Sequence, residues 1–159
     1  MHTTPDPAQF RQLMGRFATG ITVVTCADKA GELHGMTANS MTSVSLEPPL
    51  LLICVDHKAG MRTHLLDTGS FTVNILDQQQ EALSRRFAGK HENRYEGVGY
   101  TTGTLGHPVL DGSLAYAECT VESVVDAGDH SIVIGRVVAG AAHDGRPLLY
   151  FRGGYATLA

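Results

Sequence analysis

Small hydroxyl and amide side chains crowd the segment of residues 35–49, which reads GMTANSMTSVSLEPP. Where such a segment crosses from one strand to another, it leaves backbone N–H groups open, and a nest of N–H groups suits an anion or the polar edge of a ring. The same composition is also typical of an ordinary turn, in which serine and threonine side chains bond to the nearby backbone. The residue types alone leave both interpretations open.

A second candidate for chemistry is the triplet Gly128-Asp129-His130, which directly precedes an apolar run. An imidazole can donate and accept hydrogen bonds near neutral pH, and glycine allows a ligand to approach the backbone closely. A histidine in a turn before a strand is more often a solvated residue. The triplet by itself therefore does not predict a site.

Motifs typical of several enzyme classes are missing or incomplete. Gly97, Gly99 and Gly103 depart from GxGxxG by one residue, and no strand is predicted before them. The sequence contains no P-loop, no HExxH and no nucleophile elbow, so neither a metal site nor a hydrolase triad is predicted. Spacing along the chain does not show which of the eight histidines meet distant carboxylates in space.

The bulk composition is that of a globular protein. The 159 residues are 43% hydrophobic and 18% charged, and this length is typical of one core, so we predict a single domain over residues 1–159 with its core at residues 10–155. The net charge is −4 and the basic residues form no block, so nucleic acid is not an expected partner. No apolar run approaches the roughly 18 residues of a spanning helix, so no membrane association is expected.

The N-terminal segment and the cysteines predict a cytoplasmic protein. The first ten residues are polar, contain two prolines and lack the basic start and apolar stretch of a secretory signal. Cys26, Cys54 and Cys119 are odd in number and widely spaced in apolar stretches. This pattern indicates buried reduced thiols rather than disulfides or a CxxC site.

The spacing of apolar residues predicts one opening helix followed mostly by strands. After Asp6-Pro7, which suit a cap and first turn, helical spacing extends over residues 10–18, with Gly20 as the stop. The runs 21–27 and 32–37 flank a turn and predict a hairpin. Further strands are predicted at 50–55, 71–76, 115–125, 131–138 and 148–155, short helices within 57–67 and 78–87, and a glycine-rich connection at 89–112. In the strand 115–125 the odd-numbered residues are expected to face the core. About six strands or more with few helices suggest a closed or nearly closed barrel.

A series of short blocks runs in one order through the chain: GMTANS, SVSLEPP, FTVNIL, LSRRFAG, YEGVGY, GHPVL, AYAECTV, AGDHSIVIGRV and PLLYFRGGY. Each block alone is weak. The collinear set covers nearly all of residues 10–155 and resembles the flavin reductase-like family, the short NAD(P)H:flavin oxidoreductases that supply two-component monooxygenases.

The resemblance implies a mainly β fold, a six-stranded antiparallel split β-barrel with Greek-key connections and a few peripheral helices. It also implies a homodimer that binds FMN or FAD, uses NADH or NADPH as co-substrate, and passes reduced flavin by diffusion to a separate flavin-dependent monooxygenase. The lack of an obvious arginine cluster for a 2′-phosphate favours NADH. The two cofactors react directly, so the protein holds them within roughly 3 to 3.5 Å of each other.

The resemblance further assigns the flavin site. The residues expected along the isoalloxazine edge are Thr37, Ala38, Asn39 and Ser40, and those along the ribityl chain and toward the phosphate are Ser43, Val44 and Ser45. The loop with Asp56, Lys58 and Ala59 is expected to close over the phosphate. Relatives often carry serine in place of Ala59, so Lys58, Arg62 or a backbone N–H is expected to bind the anion there.

The remaining assignments concern the flavin edge and the nicotinamide. Phe87 and Ala88 are expected near the flavin, although Phe87 is equally a candidate core residue. Gly128, Asp129 and His130 are expected around the nicotinamide, with His130 as the catalytic residue that positions the ring without acid or base chemistry. Tyr155 is a second wall of that site or else a plain barrel-end aromatic residue.

Two other functions remain open from the sequence. One is a non-catalytic FMN-binding split-barrel protein, because a fold does not determine an activity. The other is a small barrel for a different ligand, such as an oligosaccharide or a haem-type molecule.

Overall fold

Residues 3–159 are described by a computed structural model, in which most apolar runs form β-strands. The helices are α1 (Pro7–Met14), α2 (Gly60–Thr68) and α3 (Glu81–Ala88), and the strands are β1 (Thr19–Gly20), β2 (Thr22–Ala27), β3 (Leu33–Ala38), β4 (Met41–Ser45), β5 (Leu50–Asp56), β6 (Ser70–Ile75), β7 (Tyr100–Thr102), β8 (Pro108–Leu110), β9 (Ala115–Ala127), β10 (His130–Ala142), β11 (Leu149–Phe151) and β12 (Gly154–Ala156). The predicted mainly β fold is confirmed.

One antiparallel sheet holds seven of these strands, in the order β3-β2-β6-β9-β10-β5-β4. The short strands β1, β11 and β12 form a separate sheet, and β7 pairs with β8. The predicted six-stranded barrel is not confirmed, because the main sheet has seven strands and its two edge strands are not paired with each other.

The two edges of the main sheet approach each other at Asn39 and Ser40. These residues alone join β3, at one edge, to β4, at the opposite edge, and three consecutive Cα steps span at most about 11 Å. The sheet must therefore curl until its edges almost meet. The Ser40 hydroxyl donates to the Cys54 carbonyl at 3.0 Å, and the Ser40 carbonyl accepts from the Cys54 N–H at 3.1 Å. We call residues 39–40 the seam.

Strand β2 separates two core clusters. Neighbouring residues of a strand point to opposite faces, and both faces of β2 are covered. Val24 lies in a cluster with Phe71 and with Leu65 of α2, whereas Val23 lies in a second cluster with Phe87 of α3. This double burial explains why β2 is a continuous buried run rather than an alternating one.

Helix α1 is shorter than predicted. It ends at Met14, and the Gly15 N–H bonds to the Arg11 carbonyl, so Phe17 lies outside the helix. The apolar side chains of this segment are largely exposed, with Phe10 at 55% and Phe17 at 72%. Among residues 3–159, no helix is both long enough and apolar enough to cross a membrane.

Two segments contain more strand structure than predicted. The glycine-rich connection 89–112 includes β7 and β8. The single strand expected at 148–155 is a hairpin of β11 and β12, which turns at Arg152 and Gly153, both with positive φ. Two adjacent residues with positive φ match the tight turn that suits the twist of antiparallel strands.

The predicted alternation of β9 is wrong at Glu118, which is 1% exposed although it was expected to face solvent. One of its carboxylate oxygens accepts the Leu105 N–H at 2.8 Å, so the connection 89–112 covers this face of the strand. The alternation also stops further along, because β6 pairs with β9 only as far as Thr120. Val124 and Val125 are consequently exposed.

We expect His107 to make the stability of this fold depend on pH. Its ring is buried, Nδ1 accepts the Ala27 N–H at 3.0 Å, and Nε2 contacts the Ser70 hydroxyl at 2.7 Å. Burial lowers the pKa of His107, so the unfolded chain binds this proton more tightly than the folded chain. The free energy of unfolding should therefore fall as pH drops below about 6.5, the pKa of an unfolded histidine, and stop falling below the folded pKa.

Urea unfolding at a series of pH values measures this loss. In His107→Gln the decrease in unfolding free energy between about pH 7.5 and pH 5.5 should be smaller than in the unaltered chain. Equal decreases in the two proteins would show that His107 does not carry the effect.

Candidate functional site

A cleft of about 210 Å³ opens at the seam, and we call it the tyrosine cleft. Its lining residues are Ile21, Thr37, Ala38, Asn39, Ala88, Tyr150 and Tyr155. Five of them belong to the predicted site, and the structure brings them together from the end of β3, the end of α3 and β12. Sequence reasoning missed Ile21 and Tyr150. Tyr150 stood in the PLLYFRGGY block, but only the β11–β12 hairpin sets its ring against Tyr155, with centroids 5.7 Å apart.

Helix α3 fixes the walls of the tyrosine cleft. The buried Ser84 hydroxyl lies 2.8 Å from the Tyr155 hydroxyl, and the Ser84 carbonyl accepts from the Thr37 hydroxyl at 2.6 Å. The Arg85 guanidinium lies over the Tyr155 ring, 4.6 Å from its centroid, an arrangement that favours a cation–π contact. One helical turn thus ties β3 to β12 on both sides of the opening. Sequence reasoning missed Ser84 and Arg85, although both stood in the LSRRFAG block.

Phe87 belongs to the core below this cleft. Its side chain is 1% exposed and packs edge-on against Tyr95, with ring centroids 5.1 Å apart. The ring also covers Gly35 so closely that a Cβ at that position would lie 2.6 Å from the Phe87 Cε1. The sequence left two roles open for Phe87, flavin contact and core residue, and in the structure it is a core residue. Its neighbour Ala88 lines the tyrosine cleft.

A second cleft, of about 360 Å³, lies on the other side of the seam, and we call it the α1 cleft. Its lining residues are Met14, Phe17, Thr19, Asn39, Ser40, Met41, Thr42, Leu52 and Cys54. Asn39 borders both clefts. The predicted strand crossing is therefore an open polar seam between two concave surfaces rather than a turn packed against its own side chains.

The structure separates Ser43, Val44 and Ser45 from the predicted phosphate loop. In the β4–β5 pairing, Ser43 and Ser45 lie opposite Leu51 and Leu50 at the start of β5, with Val44 in a bulge. Asp56 is at the other end of β5, and five residues of strand span about 16 Å. Ser40, beside Cys54, lies between the two groups. Along β5, Ser40 therefore lies nearer to residues 56–59 than residues 43–45 do.

The amides of the loop 56–59 are already occupied. The His57 N–H donates to the Asp129 carbonyl, and the Lys58 and Ala59 N–H groups donate to Asp56, at 2.8 to 3.0 Å. Arg62 is also engaged, since its Nε donates to the Ser131 hydroxyl at 2.9 Å. Of the donors predicted to replace a serine at Ala59, the exposed Lys58 ammonium and the terminal nitrogens of Arg62, one of which faces Asp126 at 3.6 Å, remain.

The N-terminus of α2 supplies further donors next to Lys58. Ala59 occupies the position before the helix, and no side chain caps it. The first amides of a helix have no partner within the helix and carry a partial positive charge. The combination of Lys58 with this uncapped end suits an anion.

The Gly128-Asp129-His130 triplet forms the turn between β9 and β10, directly beside this loop. Gly128 has φ +62°, a conformation that glycine adopts without strain, and His130 pairs with Asp56 across β10 and β5. The His130 Nδ1 lies 2.7 Å from the Asp129 carboxylate, and this hydrogen bond lowers the pKa of Asp129. Tyr155 lies at the tyrosine cleft instead, so within one chain it does not share a site with His130.

Comparison with known proteins identifies relatives of this chain. A family model described as "Flavin reductase like domain" matches residues 14–159. A protein of Rhizobium meliloti (strain 1021) named "Probable flavin reductase" is 43% identical over 152 residues, which are 96% of this chain and 49% of that protein. The chain thus spans about half the length of that relative. The "Flavin-dependent monooxygenase, reductase subunit HsaB" of Rhodococcus jostii (strain RHA1) is 38% identical, over 94% of this chain and 77% of that protein.

A solved structure has the same fold. The NADH:FAD oxidoreductase SgcE6 of Streptomyces globisporus C-1027, in complex with NAD and FAD fragments, superposes with a TM-score of 0.93 at 36% identity, over 99% of this chain and 98% of that one. The family model covers nearly the whole chain, and the relatives above match 94% or more of it. The chain therefore belongs to the flavin reductase-like domain family.

Proposed function

We propose that this protein is an NAD(P)H-dependent flavin reductase, which transfers hydride from NADH to FMN or FAD and supplies the reduced flavin to a separate monooxygenase. The observation that carries the proposal is the open seam, where small residues and a packed pair of tyrosines line one cleft in a chain of the flavin reductase-like family. NADPH is the alternative co-substrate. The non-catalytic flavin-binding protein is the less favoured function, because the relatives are named as reductases.

The residues at the seam fit a flavin. Thr37, Ala38 and Asn39 offer small side chains and polar atoms to a ring edge, and Tyr150 and Tyr155 offer aromatic walls. A flavin, when bound, supplies the ring that accepts the hydride, and the protein supplies binding and orientation. The open clefts on both sides of the seam suit a flavin that must leave again after reduction.

Lys58 and the N-terminus of α2 would hold the flavin phosphate. Lys58 is exposed, and the helix end is uncapped. An ammonium and free helix amides are both good partners for a phosphate. Ser40 lies between this anion site and the tyrosine cleft, which gives a path for the ribityl chain along Cys54.

His130 would position the nicotinamide. Its Nδ1 is held by Asp129, and the side chain is 43% exposed, so Nε2 is free to hydrogen-bond a carboxamide. Hydride transfer between two cofactors needs orientation rather than an acid or a base. Because Tyr155 lies elsewhere in the same chain, we assign it to the wall of the flavin cleft.

The decisive experiment is to follow oxidation of NADH and of NADPH by the purified protein with riboflavin, FMN and FAD in turn. The proposal expects rapid consumption of NADH in the presence of FMN or FAD. Flavin binding without NADH oxidation would support the non-catalytic flavin protein. A protein that neither binds flavin nor oxidises NADH would contradict both.

His130→Ala should raise the KM for NADH roughly 2- to 10-fold, the equivalent of one lost hydrogen bond of about 0.5–1.5 kcal/mol. Steady-state kinetics at saturating flavin measure it. His143→Ala removes an exposed imidazole from the far end of β10 and should leave the KM unchanged. Equal KM values for His130→Ala and the unaltered protein would refute the role of His130.

We further propose a single-domain homodimer that works in the cytoplasm. The exposed apolar side chains of Phe10, Leu13 and Phe17 form a surface of the kind that a partner subunit covers, and it borders the α1 cleft. Cys26, Cys54 and Cys119 are all free thiols, as expected in a reducing compartment. The mass of the purified protein in solution will show whether it is a dimer.

A further inference from the structure

Away from the seam, Asp28, His34 and His64 meet between the β2–β3 hairpin and α2. One potential ligand atom from each side chain lies within 4.8 Å of the others. The three residues are 36 positions apart at most and form no sequence motif, so only the packing of α2 against the hairpin brings them together. The cluster shares no residue with the tyrosine cleft or the α1 cleft.

The hairpin holds two of these groups in place. One Asp28 oxygen, Oδ1, accepts the N–H groups of Ala30 and Glu32, each at 2.9 Å, which fixes the carboxylate in the turn. The other oxygen, Oδ2, lies 2.9 Å from the His34 Nε2. Both side chains are only 20% exposed, so their positions are restrained before any ligand arrives.

Helix α2 adds the third group. The His64 ring stacks on the His34 ring, with centroids 3.5 Å apart and planes 10° from parallel. Two imidazoles and a carboxylate are the nitrogen and oxygen donors that zinc and related divalent transition metals bind in proteins. We propose that Asp28, His34 and His64 form a binding site for a divalent transition-metal ion, with Zn²⁺ as the representative ion.

The change that binding requires is small. Ligand atoms about 2.1 Å from a tetrahedral ion are about 3.4 Å apart, so the Asp28–His34 pair opens by about half an ångström as the ion replaces their shared proton. Two parallel rings cannot both point at one ion, so the His64 ring must also turn about its last torsion. That torsion is soft in histidine.

The surroundings leave room for the ion and its remaining ligands. His34 and His64 line a cleft of about 280 Å³, together with Glu32, His91 and Glu92. Water or one of these side chains can complete the coordination, as in zinc sites with three protein ligands. A bound ion would link α2 to the hairpin and stabilise the folded state by mass action.

Calorimetric titration of the chelator-treated, flavin-free protein with Zn²⁺ tests the proposal. We expect one ion per chain. His64→Ala should weaken Zn²⁺ binding at least roughly 10- to 100-fold. Even the loss of a group that only orients a metal ligand weakens binding by that much. Asp28→Asn should do the same, since the amide oxygen can still accept the turn N–H groups while the anionic oxygen is lost. His143→Ala, an exposed histidine outside the cleft, is the matched control and should bind as the unaltered protein does.

The thermal midpoint gives a second readout. Zn²⁺ should raise it in the unaltered protein and in His143→Ala but not in His64→Ala. Absence of Zn²⁺ binding would overturn the proposal. Equal Zn²⁺ binding in all the variants would also overturn it, because the ligands would then be scattered surface histidines. Neither measurement involves flavin or NADH, so its failure is distinct from a failure of the proposed reductase activity.

Discussion

Ala88→Trp is expected to lower kcat/KM for the flavin at least about 100-fold, which corresponds to about 2.7 kcal/mol. Ala88 is exposed at the end of α3 and lines the tyrosine cleft, and it also lines an adjoining cleft with Arg85 and Gly153. An indole at this position would fill much of the 210 Å³ that the flavin edge needs. Flavin titration and steady-state kinetics on the purified variant measure the loss.

Ala82→Trp provides the matched control for this prediction. Ala82 is exposed on the same helix but lines neither of the two clefts that Ala88 borders. The same substitution there should leave flavin binding and the thermal midpoint of the protein nearly unchanged. If Ala88→Trp keeps full activity, the flavin does not use the tyrosine cleft, and the assignment of Thr37, Ala38 and Asn39 to its edge fails with it.

Phe87→Ala is expected to reduce the free energy of unfolding by about 3–5 kcal/mol, the usual cost of removing a fully buried aromatic ring. Phe87 is 1% exposed, and its ring fills the space over the bare backbone of Gly35. With the ring gone, Gly35 and Tyr95 lose their packing partner. Gly35 has no side chain that could fill the cavity. Equilibrium urea unfolding at fixed protein concentration measures the change.

Leu46→Ala is the control for burial. Leu46 is 91% exposed, so its loss should change the free energy of unfolding by no more than about 0.5 kcal/mol. A loss below about 1 kcal/mol in Phe87→Ala would mean that the ring is not a core group.

Local patterns in the sequence were enough to predict most elements of this protein. The hairpin of β2 and β3 followed from a β-branched run and turn residues, strand β5 from a short apolar run, and the long strand β9 from alternating residues. The turn at Gly128 followed from a glycine before a polar pair. These features depend on neighbours a few residues away, which the sequence displays directly. The blocks that carried the family resemblance likewise pointed to residues 37–40, at and beside the seam, because these residues are contiguous.

Features that depend on distant contacts were decided only by the tertiary structure. Glu118 is buried because the connection 89–112 folds back over β9, which no strand periodicity shows. The seam exists because seven strands curl until β3 and β4 are two residues apart, and this curvature sets Tyr155 at the cleft and His130 beside Asp56. In the same way, His64 meets Asp28 only through the packing of α2 on the hairpin. Residue types and their order determine which groups are present, but the long-range closure of the sheet determines which of them meet.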